Sequence, residues 1–246
     1  MTKAGHPTRS EPQGKRNGKR REAPTAGQVL LVYKKSPYQL YVQERGDAAY
    51  KEALARDPAM ERTLIEGHER QQEAFSAVEA TLNRRGISFK SRWRGRKRST
   101  RDYSLVIAVG GDGTLLDTAQ YILDDTPLLG INSDPSQSVG KLCAATAGQL
   151  DEVLDALDGR LLRPAAHVRL RVRVDDQEVL GPCLNDVLFA HRSPADMSRF
   201  VFQVQRQDDD RADNEKTCDI RSSGIWIASP TGSTAAIRSA GGKVMP

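Results

Sequence analysis

An α/β half followed by a β-rich, largely antiparallel half is the architecture this sequence predicts, on three observations. Short apolar runs alternate with segments of helical period as far as about residue 160. One of those runs, "SLVIAV" (104–109), passes directly into Gly110-Gly111-Asp112-Gly113-Thr114 and then into a helical pattern. Beyond residue 165 the period becomes two, with Val168, Leu170, Val172 and Val174 alternating with arginines. The first half is therefore expected to be Rossmann-like, a parallel sheet with helices on its faces. The expected divisions are a disordered basic tail over 1–27, an α/β domain over 28–145 and a β-rich domain over 146–246.

In chain order, the tail is rich in Gly, Pro, Lys and Arg, a composition that cannot bury a core. "QVLLVY" (28–33) reads as the first buried strand. Residues 47–85 read as helical with an interruption at Asp57-Pro58, because proline removes a ladder donor and restricts the residue before it. Phe75, Val78 and Leu82 share one helical face, and Gly86 supplies the stop. The basic stretch "KSRWRGRKRSTR" (90–101) reads as a solvated loop, with a lid that attracts anions as the functional alternative. After the second strand, Leu115, Leu116, Ala119, Ile122 and Leu123 repeat with helical period. "PLLGIN" (127–132) is a third strand, and "AGQLDEVLDALDGR" (147–160) is a helix that Gly159 can end. "LNDVLFAH", "SRFVFQVQ" and "SGIWIAS" then read as strands separated by polar turns.

Composition narrows the function classes. A net charge of +5 and a sequence pI near 9.2 favour anionic partners without naming one. No reading element for nucleic acid accompanies the charge, so no nucleic-acid partner is expected. No apolar run reaches the ~18 residues of a membrane span, and no secretory h-region is visible. Cys143, Cys183 and Cys218 are far apart and odd in number, which argues for a reducing, cytoplasmic setting. His6, His68, His167 and His191 lack ligand spacing, so no structural metal is expected.

The glycine turn has a physical use. Gly110, Gly111 and Gly113 remove Cβ atoms, so phosphates can approach backbone N–H groups, and the helix that follows adds its positive end. A carboxylate beside phosphate must do work: Asp112 can accept a proton from an attacking hydroxyl or hold Mg2+. Neither G-x-x-x-x-G-K-[ST] nor G-x-G-x-x-G is present, since Leu116 stands where the latter needs its third glycine.

"GGDGT" resembles the motif of a kinase superfamily that includes NAD kinases, phosphofructokinases and diacylglycerol and sphingosine kinases. Two later stretches narrow the choice. "LNDVLFAH" (184–191) resembles the Asn-Glu motif of NAD kinases, and "SSGIWIASPTGSTAAIRSAGG" (222–242) resembles their glycine-rich segment. "GINSDPSQSVGKLC" and "NDVLFAHRSPADMSRF" look most like the plant-type NADH kinase branch.

The resemblance implies transfer of the γ-phosphate of ATP, or of polyphosphate, to the 2′-hydroxyl of NAD or NADH, with Mg2+ carried by the nucleotide. It implies a phosphate-binding first domain and a dinucleotide-binding second one. Asp112 matches the catalytic Asp, with Gly110, Gly111, Gly113 and Thr114 around it. Asn185 and Asp186 match the pair that holds NAD; Thr231, Thr234, Ala235 and Ser239 match the adenine and ribose pocket; Arg221 matches a substrate-contacting loop. Asp186, Ser223 and Ala236 depart from the commoner Glu, Asp and Tyr. The resemblance also implies a homo-oligomer, and a β-rich domain that ends at "AGGKVMP" where relatives add further strands. A non-catalytic dinucleotide-binding remnant, or a lipid or sugar kinase of the same superfamily, is the competing expectation.

Overall fold

The computed structural model describes residues 27–96, 99–193, 195–204 and 216–245. The expected tail, apart from Gly27, lies outside the described residues. The first half is a parallel sheet of β1 (Val29–Tyr33), β2 (Phe89–Trp93), β3 (Leu105–Gly110), β4 (Leu128–Asn132) and β5 (Ala145–Thr146), in the order β2-β1-β3-β4-β5. Each residue of β3 is buried, as a central strand covered on both faces requires.

Strand alternation decides what each face meets. Val29, Leu31, Ile107, Val109 and Ile131 pack with Val78 and Leu82 of α2 (Pro58–Arg84) and with Leu150, Leu154 and Leu157 of α4 (Leu150–Asp158). Leu30, Val32 and Val106 form the opposite face with Ile122. α3 (Asp112–Ala119) lies between β3 and β4. A short α1 (Ala48–Ala55) precedes α2, and the expected break at Asp57-Pro58 separates them. The Asp57 carboxylate caps α2 by accepting from the Met60 N–H, and Pro58 opens the helix. Gly86, at φ +66°, ends it, with Ile87 N–H donating to the Leu82 carbonyl at 2.9 Å and Gly86 N–H to Asn83 at 3.0 Å.

Two expectations are corrected. The basic stretch 90–101 begins as edge strand β2, where Phe89, Ser91 and Trp93 are half-buried and Lys90 and Arg92 exposed. Charged side chains on an edge strand deter pairing with other chains. The helix after β3 stops at Ala119, and Leu123 is exposed. The Arg169 guanidinium takes the carbonyls of Ala119 and Ile122 and closes that end. The parallel sheet closes with β5, and its covering helix runs on to Asp158. Gly159 caps the C-terminal end of α4 as expected, with right-handed backbone, and Arg160 after it takes the left-handed turn at φ +59°.

The second half is built of two-stranded antiparallel sheets: β6 (Leu170–Val174) with β7 (Gln177–Cys183), β8 (Asp186–Phe189) with β11 (Ile225–Ala228), and β9 (Ser198–Val204) with β10 (Lys216–Ser222). A short α5 (Ala236–Ser239) follows β11. Val168 and Val174 are exposed, so the expected dry face of β6 is only partly covered. No helix among the described residues is long and apolar enough to cross a membrane.

Candidate active site

The order β2-β1-β3-β4-β5 reverses direction between β1 and β3, and in doubly wound sheets ligands bind beyond the carboxyl ends of the strands at that reversal. Gly110 ends β3 at this point. Tyr33 pairs with both Trp93 and Val109, so the next residues across the sheet edge are Arg94, Lys34 and Gly110, with Asn132 opposite Gly110. The backbone ladder continues through them: Arg94 N–H donates to Tyr33, Lys34 N–H to Val109 and Ser133 N–H to Gly110, at 3.0, 3.4 and 3.1 Å.

The turn explains its glycines. A Cβ on Gly110 would stand 2.3 Å from Thr114 Oγ1, and one on Gly111 3.1 Å from Ser138 Oγ. Among the described residues only Arg94 Nη1 comes near a Cβ on Gly113, at 3.8 Å, so its exposed backbone can be approached. Thr114 is buried and hydrogen-bonds back to the Gly111 carbonyl at 2.9 Å. Arg94 Nη1 donates to Thr114 Oγ1 at 3.4 Å.

Asp112 begins α3, and its carboxylate is fixed from outside the helix. Oδ1 accepts from the Leu142 N–H at 2.8 Å and Oδ2 from the Lys141 N–H at 3.1 Å. A carboxylate has about four acceptor positions, so two remain for a substrate. The segment that delivers these N–H groups is shaped by Asn132, which donates to the Ser138 carbonyl at 2.8 Å and accepts from the Asp134 N–H at 3.1 Å. Burial raises the Asp134 carboxyl, but hydrogen bonds from Ser136 and Arg70 outweigh it and hold the group below its ordinary value. Arg70 Nε lies 3.0 Å from Asp134 Oδ1. Burial, aided by the Asp112 charge, pushes the Cys143 thiol up to about 11, so it stays protonated. Burial lowers the Lys34 ammonium.

A second cluster gathers the other two motifs. Pairing of β8 with β11 sets Asp186 opposite Ala228. Asn185 then meets the "SPTGST" segment: its carbonyl accepts from the Ser229 N–H at 3.0 Å, and a Cβ on Gly232 would stand 2.0 Å from that oxygen. Thr231 and Thr234 lie on a 3-10 turn, and Thr231 Oγ1 shares a hydrogen bond of 3.2 Å with His167 Nδ1. Asp186 Oδ2 is buried without a hydrogen-bond partner among the described residues. Ala235 joins the turn to α5, where Ser239 is the last, exposed residue. Arg221 is exposed on β10 opposite Arg199, on a strand rather than in the expected loop. Contacts between the halves reach α3 at its C-terminal end, through Arg169 and through Gly181 against the Gln120 carbonyl.

Sequence reasoning missed Lys34, Asn132 and His167, and treated Arg94 only as part of a basic loop. The position of Lys34 directly after an apolar strand was a usable signal; the pairing of His167 with Thr231 had none.

Residues 16–157 match the family model described as the ATP-NAD kinase N-terminal domain. The chain is 38% identical over 191 residues to a probable NADH kinase of Oryza sativa subsp. japonica, covering 71% of this chain and 58% of that protein. It is 37% identical over 162 residues to an NADH kinase of Arabidopsis thaliana, covering 59% and 50%. The chain spans about half the length of the curated relatives it matches. A crystal structure of an NAD kinase from Archaeoglobus fulgidus in complex with ATP shares the fold, with a TM-score of 0.53 and 22% identity over 89% of this chain and 67% of that one.

Proposed function

The chain belongs to the NAD kinase family, and on that premise we propose that it transfers the terminal phosphate of MgATP, or of polyphosphate, to the 2′-hydroxyl of NAD or NADH. The observation that carries this reading is the Asp112 carboxylate, held by two backbone N–H groups beside an open glycine turn at the sheet's reversal point. A sugar hydroxyl is a weak nucleophile. Asp112 takes its proton as the bond to phosphorus forms, and a positioned general base is worth roughly 10²–10⁴-fold in rate. The backbone around Gly111 and Gly113 receives the phosphate, where the N-terminal end of α3 favours negative charge.

Asn185, Asp186, Thr231, Thr234, Ala235 and Ser239 bind the dinucleotide in this reading, and Arg221 contacts it from β10. The unsatisfied Asp186 oxygen is supporting detail, since a buried carboxylate oxygen without a donor fits a ribose hydroxyl. The two plant relatives are named NADH kinases, which favours NADH as acceptor. Exposed Leu188, Phe189, Val201 and Ile227 favour a homo-oligomer.

The test is incubation with MgATP and either NAD or NADH, scored by formation of NADP or NADPH. Product with NADH above that with NAD is expected. Absence of both products, with a folded protein that binds either nucleotide, refutes the reading.

A further inference from the structure

We propose that Lys34, with Arg94 beside it, holds the terminal phosphates of the phosphoryl donor over the Gly110–Thr114 turn. The inference rests on the kinase reading for the identity of the donor, but its geometry stands apart from that reading. Three neighbouring strands end in a row here: Arg94 and Lys34 follow the last residues of β2 and β1, and Gly110 is the last residue of β3. Adjacent strands lie about 4.8 Å apart, so Lys34 stands one strand from the glycine turn. By alternation Lys34 continues the side of β1 that carries Leu30 and Val32, which is the side of Ile122 and the α3 connection. Arg94 reaches the same turn through Thr114 Oγ1.

The charges ask for an anion. Lys34 is half-buried, and among the described residues it makes no ion pair within 4.0 Å. The groups facing it are Asp134, Arg94 and the Cys143 thiol. Asp134 is already engaged by Arg70 and Ser136. Asp112 is engaged by the Lys141 and Leu142 N–H groups. A partly desolvated ammonium whose facing carboxylate is shared with Arg70 is only partly compensated, and a multiply charged phosphate relieves that cost. The neighbouring lysine differs: Lys35 pairs with Glu44 at 2.7 Å and stacks over Trp93. Phosphoryl oxygens occur in the donor and in the dinucleotide pyrophosphate alike. The position beside the turn, at the end of α3 opposite to the one that Arg169 of the second half closes, favours the donor.

Calorimetry with inorganic tripolyphosphate, MgATP and NADH, on the full chain and on Lys34→Met, Arg94→Gln and Lys35→Met, tests this. Methionine keeps the aliphatic length of Lys34, and Lys35→Met removes the same charge one residue away. Lys34→Met is expected to weaken tripolyphosphate and MgATP at least tenfold, with NADH affinity within twofold. Arg94→Gln is expected to weaken both phosphates severalfold, and Lys35→Met to change nothing beyond twofold. Wild-type affinity of Lys34→Met for tripolyphosphate, a loss confined to NADH, an equal loss in Lys35→Met, or no binding by the unmodified chain each overturns the inference. A chain that binds tripolyphosphate through Lys34 yet forms no NADP or NADPH refutes the kinase reading and leaves this site standing.

Discussion

Two backbone N–H groups on the Asp112 carboxylate change what an amide at that position does. From sequence alone, Asp112→Asn is expected to stop phosphoryl transfer and leave the fold intact. In the structure both carboxylate oxygens accept, so the asparagine NH2 must face one donor. The variant is therefore expected to lose about 10²–10⁴-fold in kcat and also about 1–3 kcal/mol of stability from the unsatisfied donor. Kinetics paired with thermal melting checks this, and an unchanged Tm would remove the two backbone contacts from the argument. Lys34 gives a pH signature. Burial disfavours its charged form, so its folded pKa lies below its unfolded one. Between those values the unfolded chain binds more protons, and stability contributed through this group rises with pH. Below the folded value the penalty of a buried charge is fully present. Denaturant titrations across the alkaline range, compared with Lys34→Met, are expected to show that rise only in the parent chain. Identical curves would mean that Lys34 is not desolvated.

Between β4 and β5 the chain forms a strap whose shape sets how the Asp112 carboxylate is held. Asn132 is buried and bonds two points of the strap, and Gly140 turns beneath it at φ +59°. A Cβ on Gly140 would stand 2.4 Å from Asn132 Nδ2. Gly140→Ala thus meets both a left-handed backbone and a clash. It is expected to cost about 1–3 kcal/mol. The Lys141 and Leu142 N–H groups follow at once, so kcat is expected to fall while KM for NADH changes little. A stability loss with unchanged kcat would show that the strap does not orient Asp112. In sequence, the strap read only as a resemblance within "GINSDPSQSVGKLC", because side-chain bonds that shape a loop leave no periodic trace. β2 was hidden for a different reason. Its alternation of Phe89, Ser91 and Trp93 is present, but the surrounding arginines and lysines outweighed it.

The buried Val, Leu, Ile and Ala side chains among the described residues all lie between Val29 and Leu157. The second half relies on two-stranded sheets with exposed Val174, Phe189 and Val201, and an isolated pair of strands is marginal in water. Hydrogen exchange is expected to be slowest in β1, β3 and β4 and to be fast across β6–β11, with limited proteolysis cutting beyond residue 160 before the parallel sheet. Equal protection in the two halves would show that the small sheets share one cooperative core with the large one. The sequence by itself determined the α/β first half, the antiparallel second half and the identity of the glycine turn. Those are local or periodic signals: apolar runs, alternation, caps, and Gly110-Gly111-Asp112-Gly113-Thr114 between strand and helix. Only the tertiary structure decided that Lys34 and Arg94 stand beside that turn, that Lys141 and Leu142 hold Asp112, and that His167 meets Thr231. Those neighbours come from strand order and from loops folding back across many residues, and neither is written in the spacing of any one segment.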